Sequence, residues 1–189
     1  MVRFIAVLSV FLTGFIFAQE THLLLIRHGT TKWNEEGKAQ GQNNIPLSEK
    51  GKEQAVFLSE ILARDHAELS AIYSSDLDRA YDTALPTARL FSLDIERNPM
   101  LNERNKENEE ETKEQLLPRI KPAFLSIVCR HLGEKVAIFT HGDVINVFLM
   151  DSKNADAYIA DHHIIPGSIS EFLYEEEEGF TFLRTALVR

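Results

Sequence analysis

Two histidines in this chain are each followed by glycine at the end of a hydrophobic stretch. Leu23 to Ile26 leads into Arg27-His28-Gly29, and Lys135 to Phe139 leads into Thr140-His141-Gly142. A neutral imidazole keeps a nitrogen lone pair available near neutral pH, which makes it a nucleophile toward phosphorus. A phosphoryl group carries negative charge on three oxygens through its transition state, so such a site needs fixed cations and N–H donors around it. Arg27 and Arg79 suit that task, because a guanidinium makes paired, charge-assisted bonds to phosphate oxygens that Lys cannot match geometrically. A protonated His141 is a third donor, and the amide of Gly142, near the start of a helix, is a fourth. Cleaving a phosphoester also requires a proton for the leaving oxygen and then a base for the attacking water. One carboxyl of suitable environment can serve as both.

The elements that must hold these groups follow from the hydrophobic pattern. Leu23 to Ile26 reads as a strand buried on both faces, delivering His28 to its end. Thr30 to Leu47 is rich in turn residues (Gly37, Gly41, Asn43, Asn44, Pro46) and reads as a long loop over that strand end. Ser48 caps a helix running to about Arg64, with Ala55, Leu58, Ile61 and Leu62 at helical spacing. Leu69 to Tyr73 is a second strand, and Ser74-Ser75-Asp76 can cap the next helix, Leu77 to about Phe91, with a kink or early end at Pro86. Leu93 to Ile95 is a weak third strand, and most of Pro99 to Thr112 reads as a solvated acidic loop. A further helix, its start blurred by Pro118 and Pro122, runs to about His131 with Leu125, Val128 and Leu132 toward the core. Lys135 to Phe139 is a fourth strand, followed by a helix from Val144 to Met150. Ser168 to Tyr174 and Phe180 to Val188 form a hairpin pair through Glu175 to Gly179. Strands alternating with helices imply a single α/β domain, its mainly parallel sheet covered by helices on both faces. Both His-Gly pairs should then lie at one sheet edge, where ligands bind in such folds.

The motifs resemble those of the histidine phosphatase superfamily, the phosphoglycerate-mutase-like enzymes with a phosphohistidine intermediate. Arg27-His28-Gly29 with Thr30 to Asn34, then Gln40-Gly41, Pro46-Leu47-Ser48, Ile72 to Ala80 with Thr83-Ala84, and Phe139 to Gly142 fall in that family's order. The resemblance implies His28 as nucleophile, Arg27 and Arg79 as phosphate ligands, His141 as the second histidine of the pocket, and Asn34 within the matching segment. It also implies a general acid in a Leu-x-Glu context. Glu103 in Met100-Leu101-Asn102-Glu103 fits, with Glu107 as the alternative, and Glu109, Glu110 and Glu111 crowd the same loop. The mutases of the family carry a long enclosing insertion after the acid, whereas this chain has only Arg104 to Glu111 before its next helix. A short loop leaves His28 open to water and favours hydrolysis over phosphoryl shuttling.

The chain has 189 residues, 29 Asp+Glu against 20 Lys+Arg, a net charge of -9 and 44% hydrophobic residues. That suits one domain with a sizeable core and argues against a nucleic-acid partner, since no basic residues are gathered to neutralise phosphates. Phosphate binding must therefore rest on local positive charge. Arg3 followed by the uncharged stretch Phe4 to Ala18 reads as a secretory signal cleaved after Ala18, leaving residues 19 to 189 as the catalytic domain of an exported protein. Without cleavage, residues 4 to 18 would act as an anchor; with it, no stable membrane association is expected. Cys129 is the single cysteine, so no intramolecular disulfide forms. No metal-ligand spacing is visible, and neither metal nor cofactor is expected. A metal phosphatase using His28, His141 and carboxylates is the reading that loss of activity to a chelator would favour. His22, His66 and His131 read as surface or structural, and His162 and His163 as solvated loop near the pocket mouth.

The sequence thus points to a metal-independent phosphomonoesterase acting on a small phosphate ester or a phosphorylated protein. The alternatives are a mutase-type phosphotransferase and a weakly active regulatory protein that binds a phosphorylated ligand.

Overall fold

Alternate residues of the central strands face two different apolar cores, and this sets the layers of the molecule. The computed structural model describes residues 19–105, 111–155 and 164–186. The proposed signal segment, Glu107, Glu109, Glu110, His162 and His163 lie outside the described residues. Six strands form one sheet: β1 (Thr21–Arg27), β2 (Leu69–Ser74), β3 (Ile95–Arg97), β4 (Lys135–Thr140), β5 (Ile169–Glu175) and β6 (Gly179–Ala186). Their order is β3-β2-β4-β1-β5-β6. The first four run parallel, and β5 and β6 are antiparallel to their neighbours.

Leu24, Ile26, Ile72, Ala137 and Phe139 point to one face, where they pack with Leu58 and Leu62 of α2 (Glu49–Asp65) and with Ala84 and Ala88 of α3 (Asp78–Phe91). Leu23, Leu25, Val136 and Ile138 point to the other. There they meet Leu116, Ile120, Phe124 and Ile127 of α4 (Lys113–Arg130) and Val144, Ile145 and Phe148 of α5 (Gly142–Asp151). Both faces of the parallel strands are buried, which is why these strands read as continuous apolar runs. The helix after β1 leaves over one face and the helix after β4 over the other. The crevice between those two strand ends is therefore a topological switch point.

Several sequence expectations are corrected. The long loop contains a short helix, α1 (Lys32–Glu35), closed by a reciprocal cap between Thr31 and Asn34. Helix α3 reaches Phe91, the end its pattern suggests, with Pro86 inside it rather than ending it early, and stops at Ser92 in the left-handed conformation (φ 55°). Of Ser74, Ser75 and Asp76, Ser75 Oγ reaches the Leu77 N–H at 3.3 Å, one residue before the helix, and none accepts an N–H of the helix itself. Instead Asn44, from the long loop, accepts the Asp78 N–H at 2.8 Å. Helix α4 runs through both Pro118 and Pro122. A proline in a helix interior costs ~3 kcal/mol, but burial of Leu116, Ile120, Phe124, Ile127 and Val128 at ~1.5–3 kcal/mol each outweighs two of them. Leu132 is 45% exposed rather than in the core, because α4 ends at Arg130 and His131 turns the chain off the helical face. The third strand starts at Ile95, two residues later than its pattern suggests, and Leu93 packs against the core on the α2 and α3 side.

Helix α2 is seated against the His28 turn by an approach of two glycines. A Cβ on Gly51 would lie 2.1 Å from the Thr30 carbonyl oxygen, and one on Gly29 would lie 2.6 Å from the Gly51 carbonyl oxygen. Both obstacles are backbone and cannot swing aside. A Gly51→Ala variant is therefore expected to lose ~1–3 kcal/mol through overpacking, read as a lower thermal midpoint; an unchanged midpoint would contradict this close seating.

Candidate active site

Register brings the two histidines together. Arg27 pairs with Thr140 at the ends of adjacent parallel strands, and the next residue on each strand is a histidine. The His28 N–H donates to the Thr140 carbonyl at 3.0 Å, which carries the pairing one residue further. The rings of His28 and His141 have centroids 5.2 Å apart, inclined at 58°. Both are buried, at 1% and 0% exposure.

Each imidazole is fixed by one nitrogen. His28 Nδ1 lies 2.7 Å from the carbonyl oxygen of Gly29, an acceptor only, so Nδ1 carries the proton and Nε2 the lone pair. His141 Nε2 lies 2.7 Å from Ser75 Oγ, while its Nδ1 is buried without a partner. Burial pushes the His28 pKa well below 6.5, and the Arg79 and Arg27 charges push it further against the opposing Gly29 hydrogen bond. His141 is pushed well below 6.5 in the same way, by burial first and then by Arg79, His28 and Arg27. With its pKa held well below 6.5, His141 can donate from one nitrogen as a neutral ring.

The two arginines approach from different elements. Arg79, in the first turn of α3, is fully buried and donates to the carbonyls of Asn43 at 2.6 Å and Gly41 at 2.8 Å. Burial lowers its pKa to about 10, opposed by Glu103 and assisted by Arg27, so it stays charged at neutral pH. Arg27 donates to the Ile164 carbonyl and lies along Gly142, where a Cβ would stand 3.4 Å from its Cζ. Glycine at 142 lets the guanidinium reach the start of α5. Burial lowers the Arg27 pKa as well, opposed by Glu103 and Asp143. The Nε atoms of both arginines, like His141 Nδ1, are buried without hydrogen-bond partners.

A cleft of about 340 Å³ opens above this floor. Arg27, His28, Asn34, Glu103 and Gly142 line it, while Arg79 and His141 are fully buried and do not. Asn34 accepts the Thr31 N–H on Oδ1 at 3.1 Å, so the amide can offer its donor end to an anion. Glu103, 9% exposed, sits beyond a 3-10 turn (Pro99–Leu101) whose Leu101 carbonyl is held by Thr140 Oγ1 at 2.7 Å. The acidic loop is therefore not uniformly solvated: Leu101 is fully buried and Glu111 pairs with Arg119. Among the described residues no group of three or more His, Cys, Asp or Glu is placed to hold a metal ion.

Sequence reasoning missed other parts. Lys38, Asp143 and Asn146 also line the cleft. The last two were findable, since residues three apart on α5 share a face directly after His141. Ser75, Thr83 and Gln54 act as struts. Thr83 Oγ1 accepts the Gly29 N–H at 2.9 Å and donates to the Arg79 carbonyl at 2.6 Å, while Gln54 Oε1 accepts the Thr30 N–H at 2.8 Å. His66 is buried 3.8 Å from Glu171, and His131 bonds the Tyr73 hydroxyl at 2.9 Å.

Comparison with known proteins agrees with this architecture. The family model of the histidine phosphatase superfamily (branch 1) matches residues 23–110 and 104–186. A metal-independent phosphoserine phosphatase of Arabidopsis thaliana is 33% identical over 165 residues, covering 70% of this chain and 69% of that protein. Phosphoglycerate mutase-like protein 4 of the same plant is 28% identical over 155 residues, covering 65% of this chain and 67% of that protein. Among solved structures, a mycobacterial glucosyl-3-phosphoglycerate phosphatase in complex with VO3 shares the fold. Its TM-score is 0.74 at 23% identity, over 88% of this chain and 97% of that one. The chain belongs to the histidine phosphatase superfamily, as one of its phosphatases.

The lowered pKa values of His28 and His141 have a consequence for folding. Each imidazole takes up a proton more readily unfolded than folded, so stability is highest above pH 6.5 and falls as pH drops below it. The slope is ~1.4 kcal/mol per pH unit for each group until its folded pKa is reached. Urea denaturation at pH 7.5 and 5.5 should show this decline, made shallower in a His28→Asn variant. Equal declines in the two proteins would contradict a buried neutral His28.

Proposed function

We propose that the protein hydrolyses small polar phosphomonoesters through a phosphohistidine formed on His28 Nε2. The observation that carries this reading is the set of three buried nitrogens without partners, Arg27 Nε, Arg79 Nε and His141 Nδ1, the last a donor when Nε2 accepts from Ser75 Oγ, together with a His28 whose pKa burial and both arginine charges hold well below 6.5. Buried donors are expensive to leave unsatisfied, at ~1–3 kcal/mol each. A phosphoryl group, with three oxygens and negative charge, satisfies such a set.

In the first half-reaction His28 Nε2 forms a bond to phosphorus as the ester P–O bond breaks, and Glu103 gives its carboxyl proton to the departing alkoxide. In the second, water oxygen bonds to phosphorus as the P–N bond breaks and the Glu103 carboxylate takes its proton, releasing inorganic phosphate and neutral His28. Arg27 and Arg79 remain charged throughout and hold the equatorial oxygens. Asn34 and the Gly142 amide add N–H donors. The Gly29 carbonyl keeps His28 in the tautomer that attacks and then stabilises the ring when it carries the phosphoryl group.

A small substrate is supported by the volume and polar lining of the cleft, and by the names of relatives, which include phosphoserine and glucosyl-3-phosphoglycerate phosphatases. Hydrolysis rather than mutase chemistry is supported by the short acid loop. Its ends are tied by the Glu111 N–H to the Asn105 carbonyl at 2.9 Å. Export with cleavage after Ala18 is part of the same proposal and is tested by the intact mass of the native protein.

Rapid quenching during turnover of a phosphate-labelled ester should leave acid-labile, alkali-stable label on His28, and activity should persist in excess chelator. A His28→Ala variant should lose at least ~10³-fold in kcat/KM while keeping its fold. Label on another residue, or undiminished turnover by that variant, would refute the phosphohistidine route.

A further inference from the structure

The carboxyl assigned above as acid and base is carried on irregular chain, and something must hold it in place. Backbone bonds do little of this between Leu101 and Asn105, where no strand continues. One side chain from a different element gathers most of the segment instead. Arg119, in the middle of α4, donates from Nη1 to the Met100 carbonyl at 2.7 Å and from Nη2 to the Asn102 carbonyl at 3.1 Å. The same Nη2 reaches the Glu103 carbonyl at 3.5 Å. Nε and Nη2 also form a two-pronged pair with the Glu111 carboxylate at 2.7 and 2.9 Å.

Glu111 passes the restraint on. Its Oε2 accepts the Asn105 N–H at 3.3 Å, and its carbonyl accepts from Arg104 Nη1 at 2.9 Å. Arg104 in turn pairs with Asp143 at 3.0 Å, beside the cleft. The guanidinium thus spans both ends of the acid-bearing loop while remaining outside the cleft itself. Its pair with Glu111 is largely shielded from solvent, with side-chain exposures of 21% and 16%, so it is more than a screened surface contact. Other ties reach the same segment: Gln42 Nε2 to the Glu103 carbonyl at 3.1 Å, Asp76 N–H to Asn102 Oδ1 at 2.8 Å, Thr140 Oγ1 to the Leu101 carbonyl at 2.7 Å, and the Arg104 N–H to Glu103 Oε1 at 2.9 Å. Each of these holds a single point. Among the described residues, Arg119 is the side chain that bonds three carbonyls between Met100 and Glu103 and also the Glu111 carboxylate beyond them.

We infer that Arg119 is a positioning residue for the proton transfer by Glu103, with Glu111 as the counter-ion that aims its guanidinium. The inference rests on the proposed role of Glu103. A displacement near 1 Å at a reacting group costs ~10²-fold in rate, and a planar five-donor fork can fix three carbonyls and a carboxylate together where an ammonium cannot.

The test exploits the leaving group. Protonation matters for an alkyl phosphate, whose alkoxide departs poorly, and hardly at all for p-nitrophenyl phosphate. The quantity to compare is kcat/KM, which reports steps up to phosphoryl transfer and excludes later hydrolysis of the phosphoenzyme. Arg119→Met is expected to lower kcat/KM for an alkyl phosphate by ~10–100-fold and for p-nitrophenyl phosphate by no more than a few-fold. Arg119→Lys should fall between Arg119→Met and wild type, and Glu111→Gln should show the same selective loss to a smaller extent. Thermal midpoints of all three identify any variant that fails to fold, and Arg119→Lys, which keeps charge and bulk, carries the test if Arg119→Met does not. Equal losses on both substrates, or no loss on the alkyl ester, would overturn the assignment. Glu103→Gln is the reference: absence of leaving-group selectivity in that variant would instead remove Glu103 as the acid, and the role of Arg119 with it.

Discussion

Two guanidinium charges beside two buried imidazoles disfavour an extra proton on either ring. This constraint underlies everything proposed for the site. Burial and the Arg27 and Arg79 charges both act on His28 in the same direction, and the Gly29 carbonyl then decides which nitrogen keeps the remaining proton. Nucleophile availability is therefore a property of the folded crevice. It does not need a separate base to remove a proton, as a serine or threonine nucleophile would.

Keeping two arginines charged in such a place requires compensation from the rest of the chain. Removing an ion from water costs several kcal/mol even after relaxation. The structure offsets this for Arg79 with the carbonyls of Gly41 and Asn43, which are presented by the long loop after α1. The loop is itself pinned to the start of α3 by Asn44. Loop and helix thus define each other: the loop caps the helix, and the helix delivers the arginine whose charge the loop receives. On the opposite side Gly142 admits Arg27, and the Gly29 and Gly51 approach fixes the turn carrying His28. The nitrogens left without partners there, Arg27 Nε, Arg79 Nε and His141 Nδ1, are those that the proposed phosphoryl group would engage.

The order of strands and helices was legible because parallel strands buried on both faces are continuous apolar runs, and the α2 face repeats at helical spacing. The pairing of His28 with His141 was legible for the same reason, since both follow such runs. Breaks in that logic mark where tertiary contacts outweigh local preference. Pro86 suggests a kink or early end and Pro118 and Pro122 blur the start of α4, yet both helices run through them; in α4 the two prolines are exposed while Leu116, Ile120, Phe124, Ile127 and Val128 bury the other face. The cap of α3 was sought among its neighbours in sequence and came from a residue 34 positions earlier. Leu132 follows the helical period of α4, but the chain leaves the helix first. Arg119 gave no local signal at all: its partners lie 8 to 19 residues away along irregular chain, and only the coordinates bring them together. Lys38 and Ile164 line or border the cleft through loop geometry that no periodicity encodes.

The protonation state of one ring nitrogen decides whether this description of the crevice is right. Nitrogen-15 NMR of histidine-labelled protein at pH 7, with the His28 signals identified by difference against a His28→Asn variant, measures it directly. We expect a protonated Nδ1 and an unprotonated Nε2 that persist as the pH is lowered through 6.5. A His28 that is an imidazolium at pH 7, or that carries its single proton on Nε2, would contradict the arrangement from which the rest follows.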